Sequence, residues 1–139
     1  MLEILFAPGA DADALAVMLA DILEQNLKEN PQRVKDFDAL NIWVGIDVLG
    51  ADVQLTLEFQ RGRLTFHSGI TDRPGLVISA DMDTLMELTN LRIRFGLPNP
   101  FDETGIALIK KLYKGELKIK GLLVHPLALV RVSKVISVA

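Results

Sequence analysis

Apolar and polar residues repeat along this chain with two different periods, and the first period predicts a helix near the N-terminus. Between Leu15 and Leu27 the apolar residues recur at i, i+3, i+4 and i+7, which is the spacing of one helix face. Asp11 or Asp13 can cap this helix. Asn30 precedes a proline and therefore disfavours the helical conformation, so we expect the helix to end there.

The middle of the chain changes to a period of two, which predicts strands. Alternation runs through residues 42–48, 53–59, 64–67 and 76–79, with turn residues between these segments. Segments 53–59 and 64–67 place apolar side chains on one face and polar ones on the other, and in segment 76–79 Leu76 and Ile78 alternate with Val77 and Ser79. An antiparallel sheet with one solvated side has this pattern, and we expect helices to cover its apolar side.

After the strands, the pattern predicts two helices, one more strand and a closing helix. Asp81 is a candidate cap for the first helix, and Gly115 can end the second. Between them, residues 91–100 are expected to be irregular because they contain one glycine and two prolines. Residues 116–120 alternate as a strand, and Pro126 suits the first turn of a closing helix that is apolar around most of its circumference.

The composition narrows the function classes. Half of the 139 residues are hydrophobic, mean hydropathy is +0.30, and this surplus must lie in a core, a cavity or an interface. The net charge of −3 argues against nucleic-acid binding, which normally requires a basic surface. The chain lacks cysteine, and it shows neither a leader pattern nor an apolar run of membrane-spanning length. We therefore expect one cytoplasmic domain covering residues 1–139.

Four sequence runs together resemble a known family. They are GRLTFH at residues 62–67, LVISA at 76–80, DTLMEL at 83–88 and GELKIKG at 115–121, the last followed by an apolar closing helix. Their order and spacing resemble the sterol-carrier-protein-2 (SCP2) family. The resemblance implies an α+β fold with a five-stranded, mostly antiparallel sheet and helices packed on one face. It also implies an apolar tunnel for sterols, fatty acids, acyl-CoA or phospholipids.

The chain departs from the family pattern in two places. Residues 91–103 form a longer link than is usual between those two helices, which bears on the mouth of the tunnel. The sequence ends Ser137-Val138-Ala139, which differs from the Ser-Lys-Leu peroxisomal address of eukaryotic members. We therefore expect a cytoplasmic location, not a peroxisomal one.

The resemblance and the apolar excess together suggest a set of cavity-lining residues, for each of which ordinary core packing is the alternative. We expect residues 91–101 to form the opening, so that a charged residue at Phe95 weakens binding without unfolding the domain. The expected partner is a lipid or acyl ligand, with no cofactor and no metal. The candidate lining residues are Met82, Met86, Leu91, Phe95, Leu97, Phe101, Leu108, Leu112, Leu127 and Val130.

The sequence offers little catalytic chemistry. His67 occupies a strand position whose neighbours are polar, so it is expected to face water, and His125 precedes a helix. Asp81 and Asp83 fit helix capping and the helix dipole better than an acid–base pair. No nucleophile, base and orienting group occur together, so we expect no enzyme activity.

Lys110, Lys111 and Lys114 form a small basic patch, which is either a solvated helix face or a contact for anionic headgroups or a CoA phosphate. Any membrane contact is expected to be transient at most. The alternative to a lipid carrier is an interaction module whose apolar closing helix packs against a second copy or a partner enzyme.

Overall fold

The computed structural model describes residues 3–71, 74–89, 93–94, 97–98, 103–122 and 124–136. Two 3₁₀ turns, Ala10–Ala12 and Pro31–Arg33, flank the first helix. The helices are α1 (Ala14–Glu29), α2 (Val34–Ala39), α3 (Met82–Thr89), α4 (Glu103–Lys114) and α5 (Pro126–Ile136). The strands are β1 (Glu3–Phe6), β2 (Asn41–Val48), β3 (Val53–Gln60), β4 (Arg63–Ser68), β5 (Leu76–Ala80), β6 (Ile93–Arg94), β7 (Leu97–Pro98) and β8 (Lys118–Lys120).

The main sheet has six strands in the order β1-β4-β3-β2-β5-β8, and it is mixed. The expectation of a five-stranded, mostly antiparallel sheet was therefore wrong in the number of strands, and it did not specify the parallel pairs. Two pairs are parallel, β1 with β4 and β2 with β5, and the other three are antiparallel. Alternation reveals which face a side chain takes, but it does not reveal which strand lies alongside, and β1 is too short and too exposed to show alternation.

The α+β class and the single helix-covered face agree with the sequence. The inward face of the sheet carries a buried apolar set that includes Val44, Leu57, Phe66 and Leu76, which lie side by side in the register of β2 to β5. Helices α1, α2 and α3 all contact α5, so the closing helix is the centre of the helical layer. Within the described residues, no helix is long and apolar enough to span a bilayer.

The outer face of the sheet is less solvated than the alternation predicts. Thr56 is fully buried there, because its hydroxyl donates to the Gly69 carbonyl at 2.8 Å and accepts from the Thr71 amide at 3.0 Å. His67 does not simply face water as expected. Its ring stacks on Trp43 with centroids 5.3 Å apart, and Nε2 lies 2.9 Å from Glu58 Oε1. Aromatic stacking and a carboxylate partner replace the water on this side of the strand.

Most predicted helix ends are confirmed. Asp13 caps α1, accepting from the Leu15 amide at 2.9 Å, and α1 ends at Glu29 beside the expected Asn30. Gly115 follows α4 with φ +80°, and α5 begins at Pro126.

The segment expected to be irregular contains a two-residue pairing of β6 with β7, and β7 contacts α5. The strand predicted at residues 116–120 is shorter in the structure, where β8 covers Lys118–Lys120 and adds to the edge of the sheet through β5.

Candidate functional site

A small apolar cavity lies between the inward face of the sheet and helices α1, α3 and α5. Its volume is about 30 Å³, close to the space that one water molecule takes in the liquid. Thr89 contributes the one polar side chain among the described residues around it, and its hydroxyl donates to the Met86 carbonyl at 2.7 Å. The other lining residues are Leu15, Leu19, Val44, Ile46, Leu57, Ile78, Leu85, Met86, Leu88, Val132 and Ile136.

Helix α5 is fixed over this cavity at its C-terminal end by a buried polar cluster. Asn26 donates from Nδ2 to the Val135 carbonyl at 2.7 Å and to the Lys134 carbonyl at 3.3 Å. Arg33 Nη1 donates to Asn26 Oδ1 at 3.1 Å and to the Lys134 carbonyl at 3.2 Å. The Lys134 ammonium lies 2.8 Å from Asp36 Oδ2. Burial lowers the pKa of Arg33, and the Asp36 charge partly opposes that change.

The start of α5 is less enclosed. Leu127 is 58% exposed, whereas Val132 and Val135 in the second half of the helix are 2% exposed or less. The contacts that hold α5 therefore concentrate at one end. A helix fixed in this way loses fewer contacts when it tilts about its C-terminal end than when the whole helix moves.

Helix α3 is positioned by a cap and by a link to α4. Asp81 Oδ1 accepts from the Thr84 amide at 2.8 Å. Hydrogen bonding with the Thr84 side chain, and after it the bond from the Thr84 amide, lowers the pKa of Asp81 below its ordinary value. Lys111 of α4 donates to Thr84 Oγ1 at 2.9 Å and to Glu87 Oε1 at 3.0 Å. The hydrogen bond to Glu87 raises the pKa of Lys111. The cap and the link together fix the α3 side of the cavity.

The structure distributes the ten predicted lining residues over several environments. Met86 lines the cavity, Leu108 is buried in the core, and Val130 is half-buried away from the described cavity lining. Met82, Leu112 and Leu127 are 37%, 39% and 58% exposed. Leu91, Phe95 and Phe101 lie outside the described residues, and Leu97 is described only as part of β7. The larger set around a ligand-filled cavity stays a prediction.

Sequence reasoning missed the lining residues that belong to the sheet and to α1. Val44, Ile46, Leu57 and Ile78 sit on the apolar faces of the predicted strands, and Leu19 sits on the apolar face of α1. Their alternation and helix spacing identify them as inward-facing. No sequence signal separates an inward side chain that touches a void from one that is fully packed.

The described residues offer no group for metal binding or covalent chemistry at this cavity. No cluster of three or more histidine, cysteine, aspartate or glutamate side chains in the described parts of the chain could hold a metal ion. The histidines lie elsewhere: His67 is on the outer face of the sheet, and His125 precedes α5. What the site offers chemically is apolar contact.

Comparison with known proteins supplies a fold but no close relative. No family model matches the sequence, and no curated protein matches it. A solved ubiquinone synthesis protein described as UbiJ-SCP2 shares 14% identity, with a TM-score of 0.60 over 87% of this chain and 90% of its own. A crystal structure of sterol carrier protein 2 shares 15% identity, with a TM-score of 0.53 over 86% and 91%.

The apo form of sterol carrier protein 2 from Yarrowia lipolytica is similar at the same level. It shares 15% identity, with a TM-score of 0.52 over 86% of this chain and 89% of its own. These similarities extend over nearly the whole of each chain, so they concern the complete domain and not one motif. The chain therefore has the fold of sterol carrier protein 2, as the four sequence runs suggested.

Proposed function

We propose that this chain binds a lipid or another long apolar ligand between its sheet and helices α1, α3 and α5, as a carrier or presenter without a catalytic centre. The observation that carries the proposal is the apolar cavity enclosed by those elements. Such a cavity favours an aliphatic or isoprenoid chain, because its lining presents hydrocarbon and keeps the Thr89 hydroxyl engaged with the backbone.

The ligand must enlarge the cavity to enter it. Sites for ligands of drug size occupy about 300–1,000 Å³, about ten times or more the 30 Å³ present here. Transfer of a methylene from water to an apolar site contributes about 0.8 kcal/mol, so a chain of about fourteen methylenes contributes on the order of 11 kcal/mol. That gain is available to separate α5 from the sheet and to offset the ordering of the ligand.

The proposed movement is a tilt of α5 about its C-terminal end. Asn26 and Arg33 hold that end through buried hydrogen bonds, whereas the exposed Leu127 marks the looser start. The contact of β7 with α5 supports our proposal that residues 91–101 form the opening. The effect of a charge at Phe95 stays a prediction.

The names of similar proteins suggest which ligands to test. The name sterol carrier protein 2 points to a sterol, and the name ubiquinone synthesis protein points to a ubiquinone-like molecule. We propose a long apolar chain as the shared requirement.

The test uses two phenylalanine substitutions in α5. Val132 lines the cavity and is 2% exposed, whereas Val130 is half-buried and is not part of the described lining. We expect Val132→Phe to lower the affinity for a fluorescent fatty acid at least ten-fold and Val130→Phe to leave it within about two-fold. Val132→Met, with less bulk, provides an intermediate step should Val132→Phe fold poorly. Equal affinity in the wild type and in a folded Val132 variant would contradict the proposal.

The alternative function is an interaction module that uses α5. Two exposed apolar residues favour this alternative. Leu127, in the first turn of α5, is 58% exposed, and Val124, just before the helix, is 75% exposed. The second half of α5 is already buried within the domain, which leaves only the first turns for a partner. A dimer that dissociates when Leu127 is replaced by serine, in a chain that takes up no fatty acid, would favour this alternative.

A further inference from the structure

Helix α4 exposes an apolar strip. Its side chains Ile106, Ile109, Leu112 and Tyr113 are 44%, 51%, 39% and 94% exposed, whereas Leu108, which comes next around the helix beyond Leu112, is buried. At about 100° per residue these four side chains span roughly 120° of the helix circumference. The strip is therefore continuous and unpartnered within the part of the chain that the structure describes.

Lysines border this strip. Lys110 and Lys114 are exposed and follow next around the helix, within roughly 80° of the strip. Glu103 lies between them in angle, but it occupies the first helical turn, two turns away from Lys110. Lys111 points inward to Glu87 and takes no part. We call the four apolar residues with Lys110 and Lys114 the α4 outer face.

Charge is distributed unevenly along the sequence of the chain. Residues 103–139 carry seven lysines and arginines against two glutamates, although the chain as a whole has 15 basic and 18 acidic residues. The remaining residues therefore carry eight basic and sixteen acidic side chains. Lys111 and Lys134 of this segment are paired with Glu87 and Asp36, and the other five basic residues still outnumber the two glutamates. The segment that contains α4 is therefore net positive on an otherwise acidic chain, and positive charge attracts anionic surfaces.

We propose that the α4 outer face docks the protein onto a bilayer that contains anionic lipids. Interfacial helices insert an apolar strip at the boundary between headgroups and acyl chains, while lysines beside the strip contact the headgroups. Helix α4 has such an apolar strip with lysines beside it. The proposal does not require that the internal cavity hold a ligand. It gives a lipid carrier a surface for contact with the membrane from which it takes its ligand.

A second copy of the chain fits this face less well. A helix of 12 residues is roughly 18 Å long and 10 Å wide, so its outer face covers about 200 Å². A stable dimer buries about 800 Å² per partner. Two copies packed through this face by a two-fold axis would also bring Lys110 and Lys114 of both copies together.

Helix α1 also exposes an apolar residue, Val17, but Asp13 and Asp21 border it on the same helix face. An anionic bilayer repels that surface, so α1 is the weaker candidate for the contact.

The test is cosedimentation of the full chain with phosphatidylcholine vesicles that contain or lack 30% phosphatidylglycerol. We expect wild-type partitioning to be at least ten-fold stronger with the anionic lipid and to fall in high salt. Lys110→Gln with Lys114→Gln should weaken it about 25-fold, at roughly five-fold per lysine. The matched control is Lys28→Gln with Lys35→Gln, which removes the same charge from exposed positions near α1 and should change partitioning by less than two-fold.

Ile109→Ser with Tyr113→Ser removes apolar contact without changing charge and should weaken partitioning at least ten-fold. Circular dichroism and urea unfolding check that these exposed substitutions leave the fold intact. Wild-type chain that ignores anionic vesicles would overturn the proposal, and so would equal losses in the α4 and control lysine pairs. A dimer abolished by the Ile109 and Tyr113 pair, without vesicle binding, would assign the face to a second copy. Uptake of monomeric fatty acid is measured separately, so failure of docking and failure of ligand binding are distinguishable.

Discussion

The side chain of Asn26 donates a hydrogen bond to the backbone carbonyl of Val135 at 2.7 Å, and so it joins the first long helix to the last across 109 positions of sequence. The carbonyls at a helix C-terminus have no partner within the helix. Asn26 supplies one for α5, and Arg33 supports it by donating to Asn26 Oδ1 at 3.1 Å. The closing helix over the cavity thus depends on a buried polar contact as well as on apolar packing.

Replacing Asn26 with alanine is expected to lower the free energy of unfolding by about 1–3 kcal/mol, because it leaves buried carbonyls and a buried guanidinium without this partner. Urea unfolding measures the change. Gln25→Ala on the same helix is the control, since Gln25 bonds Glu29 in an exposed pair and its loss should cost less than about 0.5 kcal/mol. Similar costs for the two substitutions would show that the Asn26 contact contributes little.

Two glycines in the left-handed conformation, one before β8 and one after it, allow a matched test of the packing between β5 and β8. Gly115 and Gly121 have φ of +80° and +87°, and open space surrounds Gly115, whereas a side chain on Gly121 would overlap the Gly75 carbonyl. Gly115→Ala should therefore lower the free energy of unfolding by about 1–2 kcal/mol, which is the cost of placing an alanine in the left-handed conformation. Gly121→Ala should lower the free energy of unfolding by about 3 kcal/mol or more, because the backbone at Gly75, just before β5, must also move. Equal costs in thermal or urea unfolding would refute the close approach of the two chain segments.

The Asp81 cap gives a dependence of stability on pH. The pKa of Asp81 is lowered in the folded state by its hydrogen bond to Thr84, so the contribution is present above the ordinary carboxylate value of 3.8 and is lost as pH falls through the lower folded value. Asp81→Ala should lower Tm at pH 6, and this difference should shrink as the pH falls below 3.8. Asp83→Ala, which removes an exposed carboxylate from the same turn but keeps the cap, should show a smaller difference at pH 6.

Lys111 is expected to hold α4 against α3. Lys111→Met removes donors to Thr84 and Glu87 and leaves a carboxylate whose Oε2 is already buried without a partner. Hydrogen exchange of the α4 amides should accelerate several-fold, whereas Lys110→Met on the exposed side should leave it unchanged. Adding Glu87→Leu to Lys111→Met should restore part of the protection, since removal of both partners leaves no unpaired charge. Unchanged hydrogen exchange in Lys111→Met would show that Lys111 does not hold α4 against α3.

Local signals predicted the elements better than the site. The alternation from Val53 to Phe59 gave β3 correctly, and Asp13 and Pro126 marked helix starts. Alternation failed at Thr56, which occupies the polar face but is buried beneath residues 69–71 by contacts that form only in the folded chain. The parallel position of β1 beside β4 is likewise a long-range pairing, and no residue of this short segment indicates it.

The candidate site shows the same limit. Met86 and Leu127 were both candidates for the cavity lining on the ground of the resemblance and the apolar excess, neither of which separates the two residues. One faces the void and the other is mostly exposed, since the tilt of each helix on the sheet decides which apolar side chain meets the space between them. A void is a property of how elements pack, so it leaves no periodic pattern in the sequence.

The most direct test of lipid binding is native mass spectrometry of the freshly purified chain, combined with solvent extraction and lipid analysis of the same sample. We predict a bound mass that is released by solvent as a fatty acid, phospholipid, sterol or isoprenoid quinone, and its loss or reduction in Val132→Phe but not in Val130→Phe. A clean ligand-free mass, with no uptake of fluorescent fatty acid afterwards, would contradict the claim that this fold holds a lipid.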